Sequence, residues 1–283
     1  MTARITVAYI SPNGSTRKVA EAIADQLSEG GAAVTLVDLS DADARSSLVE
    51  TMTSNEPVCL FIGSPVYNDV AVPPVMAFID ALPRADNAWA APFVTYGKAC
   101  SGVALWQMAA ALCARGFRIA GAAKVAAVHS LMWQSNHPEG EGRPNADDLE
   151  QVRHLAESVC RRLSAGTLTP VALESLDYQP TELAAEFKAK MGQPWMHIPR
   201  TVDEQVCNEC GECAELCPAD AITLNPLPEF GNACFDCFNC IRLCPENAIT
   251  PAIPLATIES IIRERVQTIN EQPLFQVFVA PAG

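Results

Sequence analysis

Eight cysteines between Cys207 and Cys244 form two copies of one pattern. The first copy is Cys207-x-x-Cys210-x-x-Cys213-x-x-x-Cys217-Pro218, and the second is Cys234-x-x-Cys237-x-x-Cys240-x-x-x-Cys244-Pro245. Thiolates are soft ligands that suit iron–sulfur clusters or zinc, and this spacing is the bacterial two-cluster run, in which the fourth cysteine of each copy ligates the other cluster. On that pattern Cys207, Cys210, Cys213 and Cys244 hold one [4Fe–4S] cluster, and Cys234, Cys237, Cys240 and Cys217 hold a second. A zinc ribbon requires two Cys-x-x-Cys pairs with a longer gap between them, and a disulfide scaffold requires an oxidising compartment. The repeat extends past the ligands, since Ala221-Ile222-Thr223 recurs as Ala248-Ile249-Thr250 at the same offset. Each half therefore reads as a turn of helix and a short apolar strand, with both clusters buried between the halves.

The elements that must carry this region belong to a longer chain. Over roughly residues 201 to 252 it resembles two-cluster bacterial ferredoxins, but at 283 residues it exceeds one ferredoxin and suits two domains, and a hydrophobic content of 49% is ample for a packed core. Its apolar runs are too short to span a bilayer, and Met1-Thr2-Ala3-Arg4 leads into a strand-like run, not a signal peptide, so a cytoplasmic protein with no membrane span is expected. Of the 12 cysteines, Cys59, Cys100, Cys113 and Cys160 remain outside the cluster motif, and three of them sit in apolar stretches as small core residues. A net charge of -14 argues against nucleic acid and anionic lipid as partners. Acid concentrates around the clusters (Asp203, Glu204, Glu209, Glu212, Glu215, Asp220, Glu229, Asp236 and Glu246, against Arg242), a face that either steers a basic-faced redox partner or serves solubility.

Residues 1–165 alternate strand-like and helix-like segments. Arg4–Ile10 reads as a buried strand, and Ser15–Leu27 has helical spacing at Val19, Ala20, Ile23, Ala24 and Leu27. Strands follow near Ala33–Leu39, Val58–Gly63, Phe93–Tyr96 and Ile119–Val128. Helices lie in the forties, from Pro73-Pro74, over Gly102–Arg115 and over Asp147–Leu163. Five strands alternating with five helices imply an α/β fold with a parallel, doubly wound sheet, whose ligand sits beyond the carboxyl ends of the strands. The loop after the first strand, Ser11-Pro12-Asn13-Gly14-Ser15-Thr16, opens into a helix and so offers free N–H groups to an anion, or is simply a capped helix start. It lacks Gly-Lys-[Ser/Thr] and Gly-x-Gly-x-x-Gly, so neither a nucleotide triphosphate loop nor a nicotinamide fingerprint is supported.

With Pro65-Val66-Tyr67 and Tyr96-Gly97 in the next two loops at this end, the region resembles flavodoxins, specifically the short flavodoxin domains fused to two-cluster ferredoxins. Ala127-Val128-His129-Ser130 and Gly142-Arg143-Pro144-Asn145 share that resemblance, which covers about 230 of the 283 residues. It implies a five-stranded sheet of order 2-1-3-4-5 and FMN as cofactor. Ser11, Asn13, Gly14, Ser15 and Thr16 would bind the phosphate. Pro65, Val66, Tyr67 and Asn68 would flank one side of the ring system, and Thr95, Tyr96, Gly97 and Lys98 the other. Asn13 stands where flavodoxins usually carry Thr, which keeps hydrogen-bonding capacity but alters donor geometry. His129 either lines the flavin pocket or stabilises a loop, and the long segment 129–145 is a lid, a docking element or neither.

Residues 166–200 read as a connector, with a helix over Thr181–Met191 and with Trp195, Met196 and Ile198 as apolar residues able to pack the two parts together. After the cluster region, 253–283 reads as a helix over Leu255–Ile269 and an extended Leu274–Val279, which covers the ferredoxin surface, edges the sheet or forms a dimer contact. The expected function is electron transfer between two [4Fe–4S] clusters and FMN, to or from a redox partner protein. Two alternatives are an FMN-dependent reductase of a quinone or other small acceptor, and a docking module that has lost FMN.

Overall fold

A computed structural model of the chain describes residues 3–52, 57–193, 195 and 198–280. Met1, Thr2 and Met196, invoked above, lie outside the described residues. The N-terminal region runs β1 (Arg4–Tyr9), α1 (Ser15–Glu29), β2 (Val34–Asp38), α2 (Ala42–Thr51), β3 (Val58–Tyr67), β4 (Val70–Ala71), α3 (Pro73–Ala81), β5 (Ala88–Tyr96), α4 (Ala104–Ala114), β6 (Phe117–Ile119), β7 (Ala122–Ala126) and α5 (Ala146–Ser164). The connector contributes α6 (Thr181–Lys190). The cysteine-rich region has β8 (Arg200–Val202), α7 (Glu212–Glu215), β9 (Ile222–Asn225), β10 (Leu227–Phe230), α8 (Asn239–Arg242) and β11 (Ile249–Pro251), and the tail adds α9 (Leu255–Ile269) and β12 (Phe275–Phe278).

The main sheet has the order β2-β1-β3-β5-β7-β12. Its first five members are parallel, with Val7 facing Leu36 on one side and Phe61 on the other, Ile62 facing Pro92, and Thr95 facing Val125. Both faces are buried, as alternation along β1 requires: Ile5, Val7 and Tyr9 join Val19, Ile23, Leu27, Val152 and Val159 of α1 and α5. Ala8 and Ile10 face the opposite layer, with Leu48, Phe78, Ile79, Leu105 and Met108 of α2, α3 and α4.

Three expectations are corrected. The sheet is not five-stranded: β12 pairs antiparallel with β7, Val277 opposite Ala123, so the tail covers the edge that β7 would otherwise leave open. The third strand does not end at Gly63 but continues to Tyr67 and turns back into β4 through Asn68 and Asp69, both at positive φ. Pro65, Val66 and Tyr67 are therefore strand residues, held by β5 and β4, and not a free loop. The fifth strand is broken at Ala120-Gly121. Ile119 faces Ala90 while Ala123 faces Phe93, so one extra residue is inserted on this strand, as in a β-bulge.

The tail is fastened by a buried polar cluster. Lys124 on β7, 1% exposed, pairs at 2.6 Å with Glu271, whose side chain is 6% exposed. Glu271 also accepts from the Ser101 backbone N–H at 2.7 Å and from Gln179 Nε2 at 3.2 Å. Burial pushes its carboxyl up, but Lys124 and Ser101 outweigh burial and hold it below the ordinary carboxylate range. Removing one member of such a pair strands the other charge, so Glu271→Leu is expected to cost about 3–5 kcal/mol and the double replacement Lys124→Met with Glu271→Leu much less. Urea denaturation of the three proteins checks this. A depressed folded pKa means that the contribution is present above the unfolded carboxyl value of about 4.3 and fades as pH falls through the lower folded value. The difference between wild type and Glu271→Leu should shrink accordingly in acid.

Candidate functional site

The carboxyl ends of β1, β3, β5 and β7 surround a cavity of ≈ 330 Å³, within the range of about 300–1,000 Å³ found for small-molecule sites. Asn13 and Ser15 line it from the first loop, Pro65, Val66, Tyr67 and Asn68 from β3 and its turn, and Thr95, Tyr96 and Gly97 from β5. Ser11, Gly14 and Thr16 stand behind this lining. Ser11 Oγ accepts from the Arg17 N–H at 3.0 Å and so caps α1, and Gly14 takes a left-handed N-cap conformation at φ 87°. The fully buried Thr16 hydroxyl shares a 2.8 Å hydrogen bond with the Thr95 hydroxyl, which ties the first loop to β5. Lys98 turns away from the cavity to pair with Glu139 at 2.8 Å. The Tyr96 ring is buried, and its hydroxyl donates to Leu274 O at 3.1 Å, so it anchors the tail and does not present an open stacking face.

Asn13 reaches across the cavity floor, with Oδ1 accepting from the Ser15 N–H at 3.4 Å and Nδ2 donating to Val128 O at 3.5 Å. This is the work of the residue that departs from the flavodoxin pattern. Gly97 is required by close approach: a Cβ there would lie 2.5 Å from His129 Cδ2 and 2.9 Å from His129 Cα. His129 lines the cavity with its ring neutral, because burial drops its pKa to about 4, and Nδ1 accepts from the Leu131 N–H at 3.3 Å. Cys100 also lines the cavity, and burial and the nearby Glu271 push its thiol up to about 12, which makes it inert.

Sequence reasoning missed the other wall. Ile258, Ile261, Ile262 and Arg265 of α9, together with Ile198 and Ile253, close over the cavity from the C-terminal side. The helical spacing of these isoleucines marked an apolar face but not what it covers. Asp69, in the β3–β4 turn, accepts from Arg265 of α9 and Lys190 of α6, each at 2.5 Å, and so fastens both helices at the cavity rim. The 129–145 segment is held by α9 as well: Arg263 bonds Glu139 at 3.2 Å and His137 O at 2.7 Å, and Ser135 donates to Glu259 at 2.9 Å.

The cysteines fall into two neighbourhoods. Cys207, Cys210, Cys213 and Cys244 line one small cavity with Leu224, Pro226, Pro228 and Ile249. Cys217 lies within electrostatic range of Cys234, Cys237 and Cys240. The tripeptide repeat has a physical role, since the Ala221 N–H donates to Cys217 Sγ and the Ala248 N–H to Cys244 Sγ, each at 3.3 Å. All twelve cysteines are free of disulfides. Among the described residues no group of three or more His, Cys, Asp or Glu side chains closes around a single ion. The cysteines around a four-iron cluster bind different irons and stand farther apart. The soft donor sets, backbone N–H groups aimed at sulfur and apolar packing fit such clusters.

The second cysteine set adjoins the cavity. Phe235, between Cys234 and Cys237, meets the cavity-lining Tyr67 edge-on with ring centroids 5.3 Å apart, and Trp195 packs on Phe235 at 6.4 Å. Arg242 of α8 donates to Pro12 O at 2.8 Å, and Arg45 of α2 reaches Asp220 at 3.4 Å. Two of the nine acids counted as an open negative face are thus engaged, since Asp236 pairs with the buried Arg200 at 2.8 Å and Asp220 with Arg45.

Gly97→Ala is expected to lower stability by about 1–3 kcal/mol through overpacking against His129 and to weaken FMN binding. Thermal melts and FMN titration measure the two effects, and a His129→Ala background should restore part of the first.

Residues 7–130 match the family model described as flavodoxin, and residues 200–223 match that of a 4Fe-4S binding domain. No curated protein matches the chain. Among solved structures, rubredoxin oxygen:oxidoreductase from the anaerobe Desulfovibrio gigas is 24% identical over 57% of this chain, with a TM-score of 0.47. The match spans only 36% of that longer chain. A flavodoxin from the domain Archaea is 19% identical over 57% of this chain and 99% of its own, with a TM-score of 0.43. Flavodoxin 2 from Bacillus cereus is 18% identical over 56% and 99%, also with a TM-score of 0.43. Among the described residues no helix is long and apolar enough to cross a membrane.

Proposed function

We propose that this chain, an electron-transfer protein in which a flavodoxin domain is joined to a 4Fe–4S binding domain, passes electrons between two [4Fe–4S] clusters and FMN inside one molecule, and exchanges them with a basic-faced redox partner. Bound FMN can hold one or two electrons and each cluster exchanges one. The observation that carries this reading is the contact between Tyr67, which lines the cavity, and Phe235, which lies between two cysteines of the second set. The chain's own residues supply the spacing. Arg242 clamps the second cysteine region to the first loop through Pro12, Asp69 clamps α6 and α9 to the β3–β4 turn, and the 129–145 segment is bonded to α9. In the cavity, Asn13 and Ser15 sit where the phosphate would bind, and Pro65, Val66 and Tyr67 form the wall nearest the cysteines. Ile258, Ile262 and Arg265 of α9 occupy the approach on which a quinone or other small acceptor would have to stack, which favours internal transfer over the reductase alternative.

Anaerobic purification should yield about eight iron atoms, eight sulfides and one FMN per chain. Cys207→Ala with Cys210→Ala, or Cys234→Ala with Cys237→Ala, should each remove about half of the iron. In stopped-flow reduction by a donor too large to enter the cavity, the flavin should bleach with a first-order rate that does not change with protein concentration. A rate proportional to protein concentration would count against transfer within one chain, and loss of FMN after mild handling would count against both flavin readings.

A further inference from the structure

Arg200 is the most unusual side chain near the cysteines. Its side chain is 2% exposed, and it begins β8, which pairs with β11. The guanidinium lies 5.0 Å from the ring centroid of Phe238 and 5.6 Å from that of Phe230. One terminal nitrogen donates to Asp236 at 2.8 Å and the other to Ile198 O at 2.8 Å. The third donor, Nε, is buried with no hydrogen-bond partner. A buried, unpartnered N–H of a permanently charged group carries its full desolvation penalty, so its retention calls for an acceptor. Besides Asp236, the acceptors within electrostatic range of Arg200 are the sulfurs of Cys234 and Cys240, of which Cys234 already accepts from the Asp236 N–H at 3.4 Å.

We infer that Arg200 donates through Nε to a sulfur of the cluster held by Cys217, Cys234, Cys237 and Cys240, and thereby raises the reduction potential of that cluster above that of the other. This rests on the two-cluster reading proposed above. A reduced cluster carries one more negative charge, so a fixed cation and a sulfur-directed N–H stabilise the reduced form more than the oxidised form. Asp236 orients the fork: its carboxylate accepts from Arg200 and from the Ile198 N–H at 3.2 Å, while its own backbone N–H donates to Cys234 Sγ at 3.4 Å. Among the described residues no cation lines the cavity of the first cysteine set. Its cavity is lined by Asn208, Glu209 and Glu246 among its polar residues, and acid there disfavours an added electron. The asymmetry follows the chain's wiring, because the cysteine set that Arg200 serves is also the one that meets Tyr67 through Phe235. Electrons held by the protein are thus drawn to the cluster beside the flavin cavity, and the more exposed first set faces outward.

The test is a redox titration followed by electron paramagnetic resonance on the full chain, anaerobically reconstituted with iron and sulfide and with its iron counted. Wild type should titrate as two clusters of distinct potential. Arg200→Met should shift the higher potential downward and leave the lower one in place. Arg200→Lys, which keeps the charge but loses the fork, should shift it less. In a Cys207→Ala, Cys210→Ala background, the one remaining cluster should show the Arg200→Met shift in full. An unmoved higher potential in both Arg200 variants at full iron content, or movement of the lower potential instead, overturns the assignment. An iron count near four in wild type would instead overturn the two-cluster reading, and a shift of that single cluster would still support donation from Arg200. If Arg200→Met fails to load iron, Arg200→Lys and Arg200→Gln carry the same comparison.

Discussion

The ion pair between Lys124 and Glu271, almost wholly removed from water, holds the architecture together. It joins a strand of the parallel sheet to the segment that follows α9, and β12 then completes the sheet edge. The cysteine-rich region lies between two anchorages on one sheet, β7 before it and β12 after it, so it is not a bead on a free linker. An ion pair buried this deeply is not obviously stabilising in itself, since desolvation offsets much of its Coulomb energy. Its value lies in register: a slip of the tail by one residue would leave both charges without partners.

From that anchorage the rest of the geometry follows. With the tail fixed, α9 lies across the carboxyl end of the sheet with Ile258 and Ile262 inward, packed with Met132, Phe238 and Ile241. Several cations of an otherwise acidic protein meet at this junction. Arg265 and Lys190 meet Asp69, Arg242 meets Pro12, Arg45 meets Asp220, and Arg263 meets Glu139. Each partly exposed pair contributes at most about 1 kcal/mol, but together they orient two packed bodies, and they leave the acidic side chains at the outer surface. The one deeply buried cation among the cysteines, Arg200, has a more specialised position, with one donor still free for sulfur.

Much of the site was legible from residue types and spacing. The doubled cysteine run pointed to soft thiolate ligation because its intervals let three thiolates of one short turn face a common centre. In the structure Cys244 lines a cavity with Cys207, Cys210 and Cys213, and Cys217 lies within electrostatic range of Cys237. The parallel sheet was legible because strands buried on both faces read as continuous apolar runs. The side-chain directions of Lys98 and Tyr96 were not legible, because a loop's sequence shows which residues are near but not which way each turns. Lys98 is drawn to Glu139, 41 residues away, and Tyr96 to Leu274, 178 residues away.

The sequence by itself determined the chemistry available: eight soft thiolates in two copies of one spacing, a helix-opening loop suited to an anion, and strands that must stack in parallel. These are local properties, set by spacing along a few residues and by alternation within one element. Only the tertiary structure decided that α9 roofs the cavity, that the second cysteine set and not the first adjoins it through Phe235 and Tyr67, and that Arg200 reaches inward between two rings. Each of these depends on contacts between residues far apart in the chain. Their energy comes from burying apolar faces and pairing charges that no local pattern identifies as partners.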